Sequence, residues 1–272
     1  MKKQNSKIGL SILLALILAL ATSGKLAFAI TQATPDQENI YSNVGLFAVD
    51  GGEPDLWIGC SGTLISPTVF LTAAHCMNWL IGTEFPIYVT LDNFIYEGRA
   101  GNSWIRATDF FVHPRFGHDQ ANLYDLAVII LEKEPMGVTP ATLTTAGLLD
   151  ELSAHGGLTH TNFISAGYGA QADWEKGPPQ FFWDGWRNYA SAPIMALTPT
   201  QIYLNINEHA TGGGGACYGD SGGPIFLPMG NTKILVGVTS LRSDRPCRAM
   251  TTYYRIDTPW SRDWLGKFVE LP

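Results

Sequence analysis

The sequence predicts an all-β protein, and three observations carry that expectation. Short runs rich in Val, Ile, Thr and aromatic residues recur along the chain, 29 Gly and 16 Pro separate them, and few segments keep a 3.6-residue hydrophobic period. Branched and aromatic side chains suit a pleated, half-buried surface, while Gly and Pro supply the tight turns between strands. A barrel or a sandwich follows.

Taken in order, residues 1–29 stand outside that pattern. Lys2, Lys3 and Lys7 precede an apolar run from Ile8 to Ala21, and Ala27-Phe28-Ala29 is the small-x-small pattern of a cleaved secretory signal. The run is shorter than the ~20 residues that span a bilayer, so an exported chain, secreted or periplasmic, beginning at Ile30 is expected. Strands are expected at Asn43–Val49, Thr68–Leu71, Phe85–Leu91, Leu126–Leu131 and Ile234–Thr239. Trp174–Trp186 is an aromatic, Pro/Gly-rich loop. After Pro259, the spacing of Trp260, Trp264 and Phe268 predicts an amphipathic helix.

Charge narrows the function classes. The chain carries a formal charge of −7, and loss of residues 1–29 removes four lysines and no acid, leaving 13 basic against 24 acidic residues, or −11. Such a surface repels phosphate backbones and anionic lipid, so neither nucleic acid nor stable membrane association is expected. The sequence holds no His-x-x-x-His and no paired Cys-x-x-Cys, so no metal and no cofactor is expected.

The chemistry concentrates in Gly219-Asp220-Ser221-Gly222-Gly223-Pro224, where glycines on both sides expose a serine hydroxyl and free its amide. The same letters fit the Gly-x-Ser-x-Gly elbow of an α/β-hydrolase, but that arrangement needs a later histidine, and the last one is His209. Upstream stand Leu71-Thr72-Ala73-Ala74-His75-Cys76, preceded by Gly59-Cys60-Ser61-Gly62-Thr63-Leu64-Ile65-Ser66, and then Tyr124-Asp125-Leu126-Ala127-Val128-Ile129-Ile130-Leu131. The order is His, Asp, Ser. From about Ile30 to the C-terminus the chain resembles a trypsin-like serine protease of the chymotrypsin family.

The resemblance implies two antiparallel six-stranded β-barrels and a C-terminal helix, with a crossover at Glu134–Leu152, where Pro135, Pro140 and a Thr-rich patch lie, and the Trp174–Trp186 loop packed onto the second barrel. Residues 30–147 would form the barrel carrying His75 and Asp125, and residues 148–272 the barrel carrying Ser221 plus the helix. Ser221 would attack the scissile carbonyl, His75 would take its proton, and Asp125 would orient the imidazole. The Gly219 and Ser221 amides would form the oxyanion hole, and Ser240 would support Asp125. Four cysteines permit three pairings, and the resemblance favours Cys60–Cys76 and Cys217–Cys247, each closing a loop worth roughly 3 kcal/mol. The remaining histidines, His113, His118, His155, His160 and His209, have no such context and read as surface or structural.

It also implies a specificity pocket lined by Gly215, Ala216, Ser240, Leu241, Arg242 and Thr251, with the run Thr211–Ala216 as its floor. Gly215 stands where enzymes of basic specificity carry an acid, so small or medium uncharged residues are expected before the cleaved bond. An acidic residue paired to Arg242 is the alternative. Ile30 falls at the family's new N-terminus, whose amine would pair with Asp220. The expected partner is a protein or peptide substrate, and the chain is expected to be a monomer. Two rivals stay open, a non-catalytic homologue that binds protein ligands and an esterase using the same three residues.

Overall fold

The computed structural model describes residues 33–52, 55–96, 101–173, 180–240 and 247–272; the signal-like segment, Ile30, Leu241, Arg242 and residues 174–179 lie outside them. After a two-residue strand, β1 (Thr34–Pro35), the first barrel comprises β2 (Val44–Val49), β3 (Trp57–Leu64), β4 (Val69–Thr72), β5 (Ile87–Thr90), β6 (Ile105–Val112) and β7 (Ala127–Leu131). They close in the order β2-β3-β4-β7-β6-β5. A single helical turn, α1 (Ala74–Met77), follows β4. Strand β2, Val-Gly-Leu-Phe-Ala-Val, is buried along its whole length, whereas β6 mixes buried and exposed positions. Val69 pairs with Ile130 and Thr72 with Ala127, so the segment after β4 and the segment before β7 meet at one rim of the barrel.

The second half begins with β8 (Thr142–Leu143), inside the stretch Glu134–Leu152 expected as a crossover, and a helix, α2 (Leu148–Ala154), that starts inside it and runs two residues beyond. Arg255 explains why α2 stays in place. Its buried guanidinium meets Asp257, two residues on, at 2.9 Å and Asp150 of α2, 105 residues back, at 3.0 and 2.8 Å, the latter a contact too distant in sequence to be foreseen. Six strands then close a second barrel: β9 (Asn162–Gly167), β12 (Asn188–Leu197), β13 (Gln201–Asn205), β14 (Pro224–Met229), β15 (Thr232–Thr239) and β16 (Met250–Arg255), with β9 pairing both β14 and β12. The hairpin of β10 (Gln171–Asp173) and β11 (Gln180–Phe182) stands apart, and a short α3 (Glu208–Thr211) precedes the serine loop. Although β1 precedes the first barrel in sequence, it pairs with β12 of the second, Thr34 with Tyr189 and Pro35 with Asn188.

The C-terminal helix, α4, spans Pro259–Leu265 and stops at Gly266, short of the expected Phe268. Its apolar residues nonetheless cross back to the first barrel: the ring of Trp264 lies 5.1 Å from that of His113, and Phe268 lies 5.1 Å from Phe111. His113 is thus a packed residue, while His118, His155, His160 and His209 are exposed. Burial, with Arg115 and Lys267 nearby, pushes His113 down to about 4. A histidine depressed in the fold contributes stability that is present above its unfolded value of about 6.5 and is lost as pH falls toward 4. We expect His113→Phe to flatten the fall in melting temperature between pH 6.5 and 4. An unchanged acid slope would remove His113 from that role.

Candidate active site

Position 75 is set by the turn out of β4. Ala73 is extended, α1 begins at Ala74, and the Cys60–Cys76 disulfide ties this turn to β3. Position 125 is set from the other side of the rim. Tyr124 has a φ of 51°, an uncommon left-handed conformation for a bulky residue. It is held there by its N–H donating to Asn122 Oδ1 at 3.3 Å, by stacking on His113, and by the Arg115 guanidinium 4.2 Å from its ring. Tyr254 Oη, from the second barrel, donates to the same Asn122 oxygen at 2.6 Å.

This turn aims a fully buried Asp125 at His75. Its Oδ2 accepts the His75 Nδ1 proton at 2.8 Å and the Ser240 hydroxyl at 2.6 Å, and its Oδ1 accepts the His75 amide at 2.9 Å. Burial pushes the Asp125 carboxyl up, but the His75 hydrogen bond and charge, with Ser240 and the His75 amide, outweigh it and hold the acid below its usual range. A carboxylate with three donors stays ionised, and the ring is held by main chain and side chain at once. Ser240 belongs to the second barrel, so this aspartate is satisfied only across the seam.

The Cys217–Cys247 disulfide anchors the start of the serine loop. Gly219 (φ 96°) and Gly222 (φ 78°) bend the backbone through conformations that L side chains avoid. A Cβ on Gly222 would sit 2.0 Å from Thr72 Oγ1 and 2.9 Å from the Ala73 nitrogen, so only glycine lets the loop pass this close to the segment leading into His75. Gly222 N–H donates to Thr239 O at 2.9 Å, and Thr239 N–H returns a bond to Gly223 O at 2.8 Å. The Gly219 carbonyl accepts the Ser61 amide at 3.2 Å and the Ser61 hydroxyl at 3.0 Å, while Ser61 Oγ accepts Tyr168 N–H at 3.0 Å. Neither the Gly219 nor the Ser221 N–H donates to an acceptor among the described residues. His75 is held through Nδ1, and no hydrogen bond joins its Nε2 to Ser221 Oγ.

Asp220, within the serine loop, is buried. Its carboxylate accepts Gly169 N–H and Cys217 N–H, both at 2.8 Å, and has no cationic partner among the described residues. Burial pushes its carboxyl up to about 7 against those two donors, and Asp184 nearby adds to the rise. Gln171 Oε1 and Asn188 Oδ1 are buried without a hydrogen-bond partner among the described residues, while the amide nitrogens of both side chains donate to Asp184.

In the expected specificity pocket, Gly215, Ala216 and Thr251 are all buried. Thr251 Oγ1 donates to Ala216 O at 3.1 Å. A Cβ on Gly215 would lie 2.4 Å from Ile206 and 3.3 Å from Thr251 Oγ1. The glycine run divides its work: Gly212 ends α3 with a φ of 67°, Gly214 N–H donates to Ser191 O at 3.1 Å, and Gly215 and Ala216 face Thr251. From the aromatic loop, Trp183 donates its indole N–H to Tyr168 O at 2.9 Å, Phe181 packs edge-on against Tyr218, and Trp186 reaches Phe94 of the first half. Ser61, Asn122 and Tyr168 join the site through hydrogen bonds that span 158, 132 and 107 residues, and no local signal foretells those partners. The metal-ligating types Cys60, His75 and Cys76 cluster, but both sulfurs are consumed in the disulfide.

Two closed antiparallel barrels with a glycine-framed serine where they meet define a chymotrypsin-like serine peptidase. A family model described as Trypsin matches residues 44–265. The chain is 32% identical over 197 residues to brachyurin of Leptuca pugilator, covering 70% of this chain and 78% of that protein. It is 27% identical over 237 residues to chymotrypsin-C of Bos taurus, covering 78% of each. It is also 26% identical over 217 residues to glucanase inhibitor protein 4 of Phytophthora infestans, covering 76% of this chain and 78% of that protein. The chain belongs to the trypsin family and is a serine endopeptidase. No helix among the described residues is long and apolar enough to cross a membrane.

Proposed function

We propose that Ser221, His75 and Asp125 form a catalytic triad that cleaves peptide bonds through an acyl-enzyme, in a chain exported and processed to begin at Ile30. The observation that carries this reading is the double hold of Asp125 on His75, at Nδ1 and at the amide, which leaves Nε2 as the only ring nitrogen able to accept a proton. Ser221 Oγ attacks the carbonyl carbon as its proton passes to Nε2. The oxyanion is received by the two amides of Gly219 and Ser221, a contribution of about 3 kcal/mol per donor. His75 returns the proton to the departing amine, leaving an ester on Ser221, and water then repeats the sequence to release the acid.

Before the cleaved bond the enzyme takes small or medium uncharged side chains. An acid at position 215 would have no room beside Ile206, and Thr251 narrows the space opposite, so a substrate Lys or Arg would bury its charge unpaired. We expect Thr251→Gly to raise the preference for Phe over Ala at this position about tenfold, the scale on which apolar pockets discriminate. A peptide-library digest checks it, and wild-type cleavage dominated by basic residues would overturn the assignment.

The Ile30 amine pairs with Asp220 and orders the oxyanion loop. Asp220 is buried with two amide donors and no cation among the described residues, and an ammonium would bring it both a positive charge and three donors. Ala33, three residues after Ile30, is buried against Ala190. Because Ala29 directly precedes Ile30, removal of the signal would itself create the activating amine.

One relative bears an inhibitor's name, which gives the non-catalytic rival a concrete form. A serine-directed phosphonylating reagent followed by a peptide-library digest separates the possibilities. Stoichiometric labelling at Ser221 with peptide cleavage is expected; labelling without cleavage would indicate an esterase, and no labelling a binding protein.

A further inference from the structure

We infer that the buried Asp36–Arg187 pair is a clamp that delivers the amino terminus to Asp220, making both positioning residues for catalysis; the inference rests on the activation reading above. Arg187 precedes β12 and is 0% exposed, and Asp36, just after β1, is 1% exposed. Arg187 Nε and Nη2 each reach Asp36 Oδ2 at 2.8 Å, and Nη2 also donates to Asn39 Oδ1. Nη1 donates to Val44 O at 3.0 Å, Leu91 O at 2.9 Å and Tyr168 Oη at 3.2 Å. Asp36 in turn accepts the Ile40 and Tyr41 amides at 2.7 and 3.0 Å, and its own amide donates to Arg187 O at 2.8 Å. One guanidinium therefore fastens the N-terminal segment to both barrels.

Net stability does not account for such a device, since a buried ion pair often does no better than well-packed apolar side chains. What a fork of fixed donors supplies is orientation. The registers show what is being oriented. Pro35 pairs with Asn188, Asn188 pairs with Gly167, and a Cβ on Gly167 would lie 2.3 Å from Asp220 Oδ1. Two strand spacings separate Pro35 from that carboxylate, roughly 10 Å, and the five residues back to Ile30 reach at most about 17 Å. A tether that short presents its amine at high effective concentration only while its root is fixed. The clamp fixes the root.

The test uses the alkaline limb of activity of enzyme processed to Ile30. Only the protonated amine pairs with Asp220, so pairing raises its midpoint above the free α-amino value of about 7.7–8.0, and a tenfold weaker insertion lowers that midpoint by about one unit. Facing Asp220 are Asp184 and Tyr253, and facing the clamp are Tyr41, Tyr168, Tyr189 and Asp92. Burial pushes Tyr168 up to about 12, and Tyr41 and Tyr253 higher still, so these three do not titrate in the range. Asp36→Asn leaves Arg187 buried without its counter-charge and risks misfolding, so the double variant Asp36→Leu with Arg187→Met, which strands no charge, is compared with it. We expect the alkaline midpoint of kcat/KM to fall by about one unit or more in the folded double variant, with the acid midpoint unmoved. A folded double variant with the wild-type alkaline midpoint would overturn the clamp, whatever its melting temperature. Absence of an alkaline fall in the wild type would overturn the activation reading, and with it the clamp, before any variant is made.

Discussion

Ser221→Ala is expected to lower kcat/KM by roughly 10⁶ and to leave the melting temperature within a degree or two, because the half-buried hydroxyl has no hydrogen-bond partner among the described residues to lose. His75→Ala should lose nearly as much, since base and nucleophile act as one unit. The double variant should lose little more than either single one. Steady-state assays on purified, folded variants decide the matter, and more than about a tenth of wild-type activity in either would dismiss the triad. Ser240→Ala should be milder, because Asp125 keeps both His75 donors.

The second large effect concerns the amino terminus. A form carrying extra residues before Ile30 is expected to be about 10³-fold less active than the processed chain. Without the amine, burial holds the Asp220 carboxyl at about 7 rather than the ordinary 3.8, a difference on the order of 4 kcal/mol against keeping it ionised and buried at neutral pH. The sign follows from linkage. A carboxyl raised in the fold contributes stability that is full below about 4 and is lost as pH rises through about 7. The extended form should therefore lose melting temperature from pH 4 to 7 relative to the processed form, whose ammonium keeps Asp220 paired. Parallel slopes for the two forms, or full activity in the extended one, would refute the pairing.

Much of this architecture could be read from local letters. Strands such as β2 and β7 are continuous apolar runs, and period and composition suffice to find them. His75, Asp125 and Ser221 stand in motifs because each needs a particular neighbour: a cysteine that staples its turn, a strand that anchors it, or glycines that bend around it. What stayed illegible is what depends on meeting across the fold. Arg187 looks like any arginine after a tryptophan, and Asp36 like any loop acid, until a separation of 151 residues closes to 2.8 Å. Ser61 was visible within its motif, yet its bond to the Gly219 carbonyl spans 158 residues. Nothing local marks helix α2, because its fixing partners, Asp257 and Arg255, lie more than a hundred residues away. The spacing of Trp264 and Phe268 overstates the closing helix, because the two share a face with or without helical backbone between them.

Asp125 belongs to one barrel, yet one of its three donors, Ser240, comes from the other, and Ser61 of the first barrel holds the carbonyl of Gly219 in the second. Neither half owns a working centre. Catalytic competence is thus a property of their docking, and a separation of a few tenths of an ångström that leaves every strand intact would break both ties. Heat or denaturant would silence such an enzyme before it melts it, with loss of turnover running ahead of loss of β-structure.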